Sequence, residues 1–272
     1  MTEFIKTHRL FSLYTALVIL LVLVAIFAPQ LAPQDPFDGN MRNVLQQPSD
    51  EHIFGTDKLG RDTFSRIICG TQTSLFMTIC VVILLAIVGG VVGVVSGYFG
   101  GRVEMVLMRI ADMMLAFPGV VLAIAIAGIL GGSIFNTILA LLAVGWAKYA
   151  RLVRSLVIKL RHNDYIIAAQ VNGTKTINIL WRHILPNILP MIVITGAMDI
   201  GTMMMEIAGL SFLGFGAQPP TPEWGLMLNE GRQYIQTAPW LMFYPGAAIF
   251  VVVAIFNLWG DALRDLLDPR NE

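Results

Sequence analysis

Few residues in this chain are of a type and spacing that could do chemistry, and the two arrangements that resemble catalytic motifs each fail at a decisive position. Gly55-Thr-Asp-Lys-Leu-Gly60-Arg61-Asp62 has the glycine spacing of a phosphate-cradling loop. Such a loop needs a lysine on the phosphates and a Ser or Thr on magnesium, but Arg61 and Asp62 stand in those places. No buried apolar strand precedes it. Gly209-Leu-Ser211-Phe212 lies inside an apolar run, as an intramembrane serine nucleophile would. It lacks a second glycine, and no histidine falls in a later run to act as base. Cys69 and Cys80 form no CxxC pair, and His8, His52, His162 and His183 are scattered, so no metal site is indicated. The expectation is a chain with no catalytic residue that holds no metal, nucleotide or other cofactor.

The polar residues that remain sit in unusual places. Asp199 and Glu206 fall seven apart in an apolar run, with Thr202 and Met203 between them on the same helical face. A charge near the centre of a bilayer costs about 2.5–3.5 kcal/mol on insertion scales, so these acids must face protein or water. Two readings stay open: a stripe that lines a path and attracts a cation or an amino group, or hydrogen-bonding groups at an interface. The methionines give no support for a metal, because thioethers suit Cu(I) and Met in a helix is ordinary packing. Asp112 has Arg109 three residues before it, a spacing that predicts an ion pair.

The main polar interval runs from Arg151 to Pro190 and carries Arg151, Arg154, Lys159, Arg161, Lys175 and Arg182. Asn163 or Asp164 can cap a short helix through Asn172, which Gly173 ends in a left-handed conformation. Ala169 and Gly173, four apart, leave a strip poor in side chains on which another protein can sit. Beyond it, Ile177, Leu180, Trp181, Ile184 and Leu185 have the spacing of an amphipathic helix at a membrane surface, ended by Pro186 and Pro190.

The elements that position these residues follow from composition. The chain has 272 residues, 56% hydrophobic and 13% charged, with a mean hydropathy of +0.71. Soluble domains are about a quarter charged, so this is an integral membrane protein, all α-helical. Six apolar runs approach the length of about 20 residues that a bilayer requires: 11–28, 75–98, 105–130, 134–150, 188–215 and 240–260. The first is longer than the apolar core of a signal peptide, about 7–15 residues, and reads as an uncleaved helix. One side of these spans holds thirteen Lys and Arg and the other five. That asymmetry places both termini and the 151–190 interval in the cytoplasm. In the second span Gly89, Gly93, Gly97 and Gly101 recur every four residues, with Ala86 and Gly90 alongside, which predicts close helix packing.

Ala168-Ala169-x-x-x-Gly173 followed by Leu185-Pro186 resembles the EAA loop of ABC-importer permeases. Two positions depart: Ile167 stands where that family usually has Glu, and His183 where it often has Ile. Further stretches resemble the second permease of the peptide, nickel and opine group: Phe54-Gly-Thr-Asp-x-x-Gly-Arg-Asp-x-x-Ser-Arg66, Leu210-Ser-Phe-Leu-Gly-Phe-Gly216, Pro222-Glu-Trp-Gly225 and Gly260-Asp-Ala-Leu-Arg-Asp-Leu-Leu-Asp-Pro269. The resemblance implies a type I importer permease fold of six transmembrane helices in a bacterial inner membrane. It divides the chain into a cytoplasmic start (1–10), a first span (11–31), an extracytoplasmic loop (32–74), a core (75–260) with its coupling loop (151–187), and a cytoplasmic tail (261–272). It implies that Asp164, Ala168, Ala169, Gly173, Leu185 and Pro186 meet an ATPase. The other partners implied are a homologous second permease, a second ATPase, an extracytoplasmic binding protein and the lipid bilayer, with no nucleic acid. ATP and magnesium would be held by the ATPases. Asp199-Ile-Gly-x-Met-Met, Gly231-Arg-Gln-Tyr-Ile235 and Met242-Phe-Tyr-Pro-Gly246 look closer to nickel-type permeases than to dipeptide ones, so the expected cargo is nickel, free or chelated, with peptides as the alternative and a secondary transporter or channel as a distant one.

Overall fold

The computed structural model describes residues 9–267. Lys6 and His8 of the cytoplasmic start, and Asp268, Pro269 and Arg270 of the tail, lie outside the described residues. Helix α1 (Arg9–Ile26) is followed by a short α2 (Ala28–Leu31) with Pro29 in its first turn. The loop after it, expected to extend to residue 74, closes at Asp62. Residues 63–74 instead form the first turns of α3 (Thr63–Phe99), because the Asp62 carboxylate accepts from the Ser65 N–H and starts the helix there.

The third expected span is broken. Helices α4 (Gly101–Leu115) and α5 (Gly119–Leu130) meet at 89°. Pro118 is the cause: it has no N–H to give and forces Phe117 out of the helical region. Helix α6 (Ile134–Arg161) follows, its N-terminus capped by the Ser133 hydroxyl. Then come α7 (Asp164–Val171) and α8 (Thr176–Ile179), a π turn at Leu180–Ile184, and α9 (Leu185–Phe212). Helix α10 (Trp224–Gly231) lies before α11 (Trp240–Leu267). Among the described residues the elements are all helical, with one isolated bridge between Thr56 and Asp62.

Four helical segments are long and apolar enough to cross a membrane: α1, α3, the continuous run Thr176–Phe212 and α11; the bent pair α4 and α5 makes a fifth. Helix α6, expected as a span over 134–150, carries Lys148, Arg151 and Arg154 on its second half and falls below that threshold. The expectation that Pro186 and Pro190 end a surface helix is also corrected, since the helix runs through both. The π turn absorbs the first proline: the Leu185 N–H reaches back five residues to the Leu180 carbonyl. That extra residue also rotates the apolar face. Ile177 (55% exposed) and Trp181 (64% exposed) point out, while Ile179, Ile184 and Ile188 are buried.

Two apolar clusters make the membrane core. Helices α1, α3, α9, α10 and α11 share one, and α3, α5, α6 and α9 share the other. The closest approach is α3 on α6. A Cβ at Gly89 would lie 2.4 Å from the Tyr149 Cβ, at Gly93 2.6 Å from the Val153 Cβ, and at Gly97 2.9 Å from the Val157 Cβ. Only glycine permits these contacts. Gly101 is not part of the stripe; it opens α4 at φ +56° and faces open space.

Gly93→Val is expected to destabilise the protein by about 2 kcal/mol or more, since a Cβ there would lie 2.6 Å from the Val153 Cβ and 2.7 Å from the Ala150 carbonyl. Gly90→Ala, one residue away with nothing within 4 Å, is expected to leave the thermal midpoint in detergent unchanged. Equal midpoints for the two variants would refute the packing argument.

Candidate functional site

On the side of the 151–190 interval, α7 stands out from the bundle. Asn163 precedes it, but neither the Asn163 side chain nor another side chain caps it, contrary to the expected cap. The first turn is closed by the Ile166 and Ile167 N–H groups on the Asn163 carbonyl. Its other end is a Schellman turn: the Thr174 N–H reaches the Ala169 carbonyl and the Gly173 N–H that of Gln170, with Gly173 at φ +73°. Asp164, Ala168 and Gly173 are exposed, and nothing lies within 4 Å of where a Gly173 Cβ would be. Ala169 and Leu185 pack against one apolar cluster under α7, while Pro186 faces out.

Half of the basic interval pairs with groups of this chain. Arg151 pairs with Asp112 at 2.7 Å, displacing the expected partner Arg109. Arg154 Nε donates to Glu104 at 2.7 Å. Arg161 donates to the Gly97 and Tyr98 carbonyls at 3.0 and 3.2 Å, covering the C-terminal end of α3. Sequence spacing missed all three because each partner lies on another helix. Lys159, Lys175 and Arg182 make no ion pair among the described residues.

The Asp199 stripe is more divided than its spacing implies. Asp199 is buried and its carboxylate takes the Lys148 ammonium at 2.6 Å. Lys148 comes from α6 and its side chain is 58% exposed. Thr202 is exposed, Met203 is half-buried between the two membrane clusters, and Glu206 is half-buried with no hydrogen bond or ion pair among the described residues. In the sequence Lys148 stands near the end of the apolar run 134–150, and a buried aspartate needs such a cation within reach.

The opposite end holds a buried charge cluster. Asp57 Oδ2 accepts from Arg61 Nε at 2.6 Å, and Asp57 Oδ1 from the Leu59 and Arg61 N–H groups. Arg61 and Arg66, 2% and 1% exposed, both reach Glu230 on α10, at 3.3 and 3.2 Å. Lys58 adds a third cation at 3.3 Å. Gly60, at φ +73°, turns so tightly that a Cβ would strike the Asn40 carbonyl at 1.9 Å. The glycine spacing that resembled a phosphate loop therefore serves a turn and an ion cluster. Asp62 caps α3 and holds His52 at 3.0 Å.

Glu223 caps α10 by accepting from the Gly225 and Leu226 N–H groups at 2.8 and 2.7 Å. Burial pushes its carboxyl above the usual carboxylate range, although these donors pull the other way. The adjacent Trp224 indole donates to the Ile67 carbonyl at 3.0 Å. Ser211, the serine set aside above, is fully buried, and a Cβ on Gly216 would overlap its hydroxyl at 1.8 Å. Gly260 sits against Met198, whose side chain would be 3.0 Å from a Cβ there.

Comparison with known families decides what this arrangement belongs to. The profile described as "Binding-protein-dependent transport system inner membrane component" matches residues 89–272, and that of the "N-terminal TM domain of oligopeptide transport permease C" matches residues 5–48. The chain belongs to the binding-protein-dependent transport system inner membrane components. It is 45% identical over 266 residues to a dipeptide transport system permease of Alkalihalophilus pseudofirmus, covering 98% of this chain and 88% of the relative. It is 41% identical over 270 residues to the nickel transport system permease of Escherichia coli K12, covering 99% and 98%. The permease chain in inward-facing structures of a methionine ABC transporter superposes with a TM-score of 0.54 at 16% identity, over 71% of this chain and 94% of that one. That likeness is one of fold, and the fold is the type I importer permease. The relatives are permease subunits, and no enzyme family is indicated.

Glu230→Gln leaves Arg61 and Arg66 buried with one carboxylate between them. The expected cost is about 3–5 kcal/mol of local stability, the scale for breaking a buried pair. Limited proteolysis should then cut within residues 33–62 of this permease, where wild type resists; identical patterns would contradict the clamp.

Proposed function

We propose that this permease forms half of the translocation pathway of an ATP-driven importer, with α7 as the seat of an ATPase subunit. The observation that carries this reading is α7 itself, a short helix anchored to the bundle by Ile166, with small residues outward and a Schellman turn at its end. A secondary transporter or channel has no use for such an element. The seat comprises Asp164, Ala168, Ala169 and Gly173, with Leu185 and Pro186 beside it. The assembly contains a homologous second permease, two ATPases that hold ATP and magnesium, and an extracytoplasmic binding protein. Both termini are cytoplasmic, following the Lys and Arg asymmetry. The binding protein docks on the face built by the Asp57–Glu230 cluster.

Asp199, Thr202, Met203 and Glu206 belong to the path. From sequence, nickel is favoured by the likeness of three stretches to nickel-type permeases, with the acid stripe open to a cation or an amino group. Lys148 changes that balance, because it neutralises Asp199 and leaves Glu206 as the one unmatched acid of the stripe. A bare divalent cation would meet an ammonium there. A short peptide, bearing both an amino group and a carboxylate, suits an ion pair beside a free acid. The cargo we favour is therefore a short peptide, with chelated nickel as the other outcome of the test.

Ala168→Arg changes an exposed position, so the permease should fold while its ATPases fail to co-purify and ATP-dependent uptake stops. Retained association and uptake would remove α7 as the seat. For the path, Asp199→Asn and Lys148→Met should each lower uptake several-fold with the complex assembled, and the double variant should recover part of it. Uptake is read separately with a dipeptide and with chelated nickel; equal uptake by wild type and all three variants would reject the pair's role.

A further inference from the structure

We infer that Ile166 is the peg through which displacement of α7 reaches the membrane helices. The inference rests on the proposed role of α7 as the ATPase seat and names the residue that transmits what happens there. Ile166 is the one buried residue of α7, at 0% exposure, whereas its apolar neighbours Tyr165, Ile167 and Val171 are exposed. The cluster that receives it draws on three separate segments: Val153 and Val157 from α6, Ile184 and Ile188 from the π turn and the start of α9, and Val94 and Tyr98 from α3.

Few other contacts join α7 to that bundle. Ala169 packs at the margin of the same cluster, the exposed Gln170 amide reaches the Tyr98 hydroxyl at 3.4 Å, and the exposed Tyr165 ring lies 6.2 Å from that of His183. The chain that leaves α7 turns at Gly173, where the backbone is left-handed and open. Of these contacts the one that is fully buried is made by Ile166. The physical properties of that side chain suit the task. A β-branched residue in a helix has one strongly preferred rotamer, and close-packed interiors transmit displacement instead of absorbing it. Arg161, three residues before α7, ties the last carbonyls of α3 to the end of α6, so the segments around the socket respond together.

Ile166 is accordingly a positioning residue: it touches neither nucleotide nor cargo, and it does not lie on the exposed strip. Coupling between sites is reciprocal, so a peg that carries motion outward also carries the binding protein's arrival inward to the ATPases. The test uses the whole complex in proteoliposomes, comparing ATP hydrolysis with and without the cognate binding protein as purified. Ile166→Ala is expected to keep ATPase co-purification and the basal rate while stimulation by the binding protein falls about fivefold, the lower end of measured couplings. Ile166→Val should retain most of the stimulation. Full stimulation in Ile166→Ala would overturn the inference. If that variant does not assemble, Ile166→Val and Ile166→Leu carry the test: a graded loss supports the peg, and unchanged stimulation overturns it. Failure of the seat itself would appear separately, as undisturbed ATPase association in Ala168→Arg.

Discussion

The contact between α3 and α6 is the one on which the rest of this permease depends. Inside a bilayer the surrounding lipid is as apolar as the helices, so association comes from close packing and not from escape from water. Gly89, Gly93 and Gly97 give up their side chains so that Tyr149, Val153 and Val157 can rest on the α3 backbone. Three contacts at four-residue steps fix both the height and the rotation of α6. Once α6 is set, its other faces have no freedom. Lys148 must point at Asp199 on α9, Arg151 and Arg154 at α4, and Arg161 at the end of α3. The same rotation turns Val153 and Val157 into walls of the socket that takes Ile166. One stripe of absent side chains thereby sets the ion pairs and the cytoplasmic joint together.

Charge does different work at the two ends. In the outer cluster two buried arginines and a lysine meet Asp57 and Glu230, which joins the loop after α2 to the helix before α11. Burying such groups gains little net stability against an apolar alternative. What it provides is a fixed geometry, since each guanidinium accepts few arrangements of carboxylate oxygens. The cytoplasmic pairs are more exposed and worth less individually. Their value is positional: they hold α4 against α6 below the bend at Pro118. The buried cluster at one end and the exposed pairs at the other give the two ends different electrostatic character.

Much of this was legible in the sequence where a residue type has a single physical use. Glycines at four-residue spacing in an apolar run mean close approach, and a glycine after a short helix means a left-handed stop; both describe what Gly93 and Gly173 do. The bend at Pro118 was missed because hydropathy averages over a window and cannot see a corner within it. The buried face after α7 was misplaced because the π turn shifts the repeat by one residue, and nothing local at 180–184 announces that. Partners across helices were the least readable. Asp112 was paired with Arg109 because that neighbour is visible in the chain, whereas Arg151 becomes a neighbour only after α3 has fixed the rotation of α6. Lys148 and Asp199, 51 residues apart, become neighbours for the same reason.

Ile167 is where the resemblance to the EAA loop leads one to expect glutamate, and the fold indicates what stands in for it. The outward face of α7 carries Tyr165, Ile167 and Val171 as apolar groups, with Ala168 and Gly173 as flat ground between them. Asp164 is its one acid. Lys159, Lys175 and Arg182, before and after α7 in the chain, make no ion pair among the described residues. Stable interfaces have an apolar centre and a polar rim, and this face has both parts with the charge moved outward from the helix to its surroundings. On the proposed role of α7, the groove that accepts it is apolar at its floor and acidic at its edges, while Ile166 sits in its socket beneath.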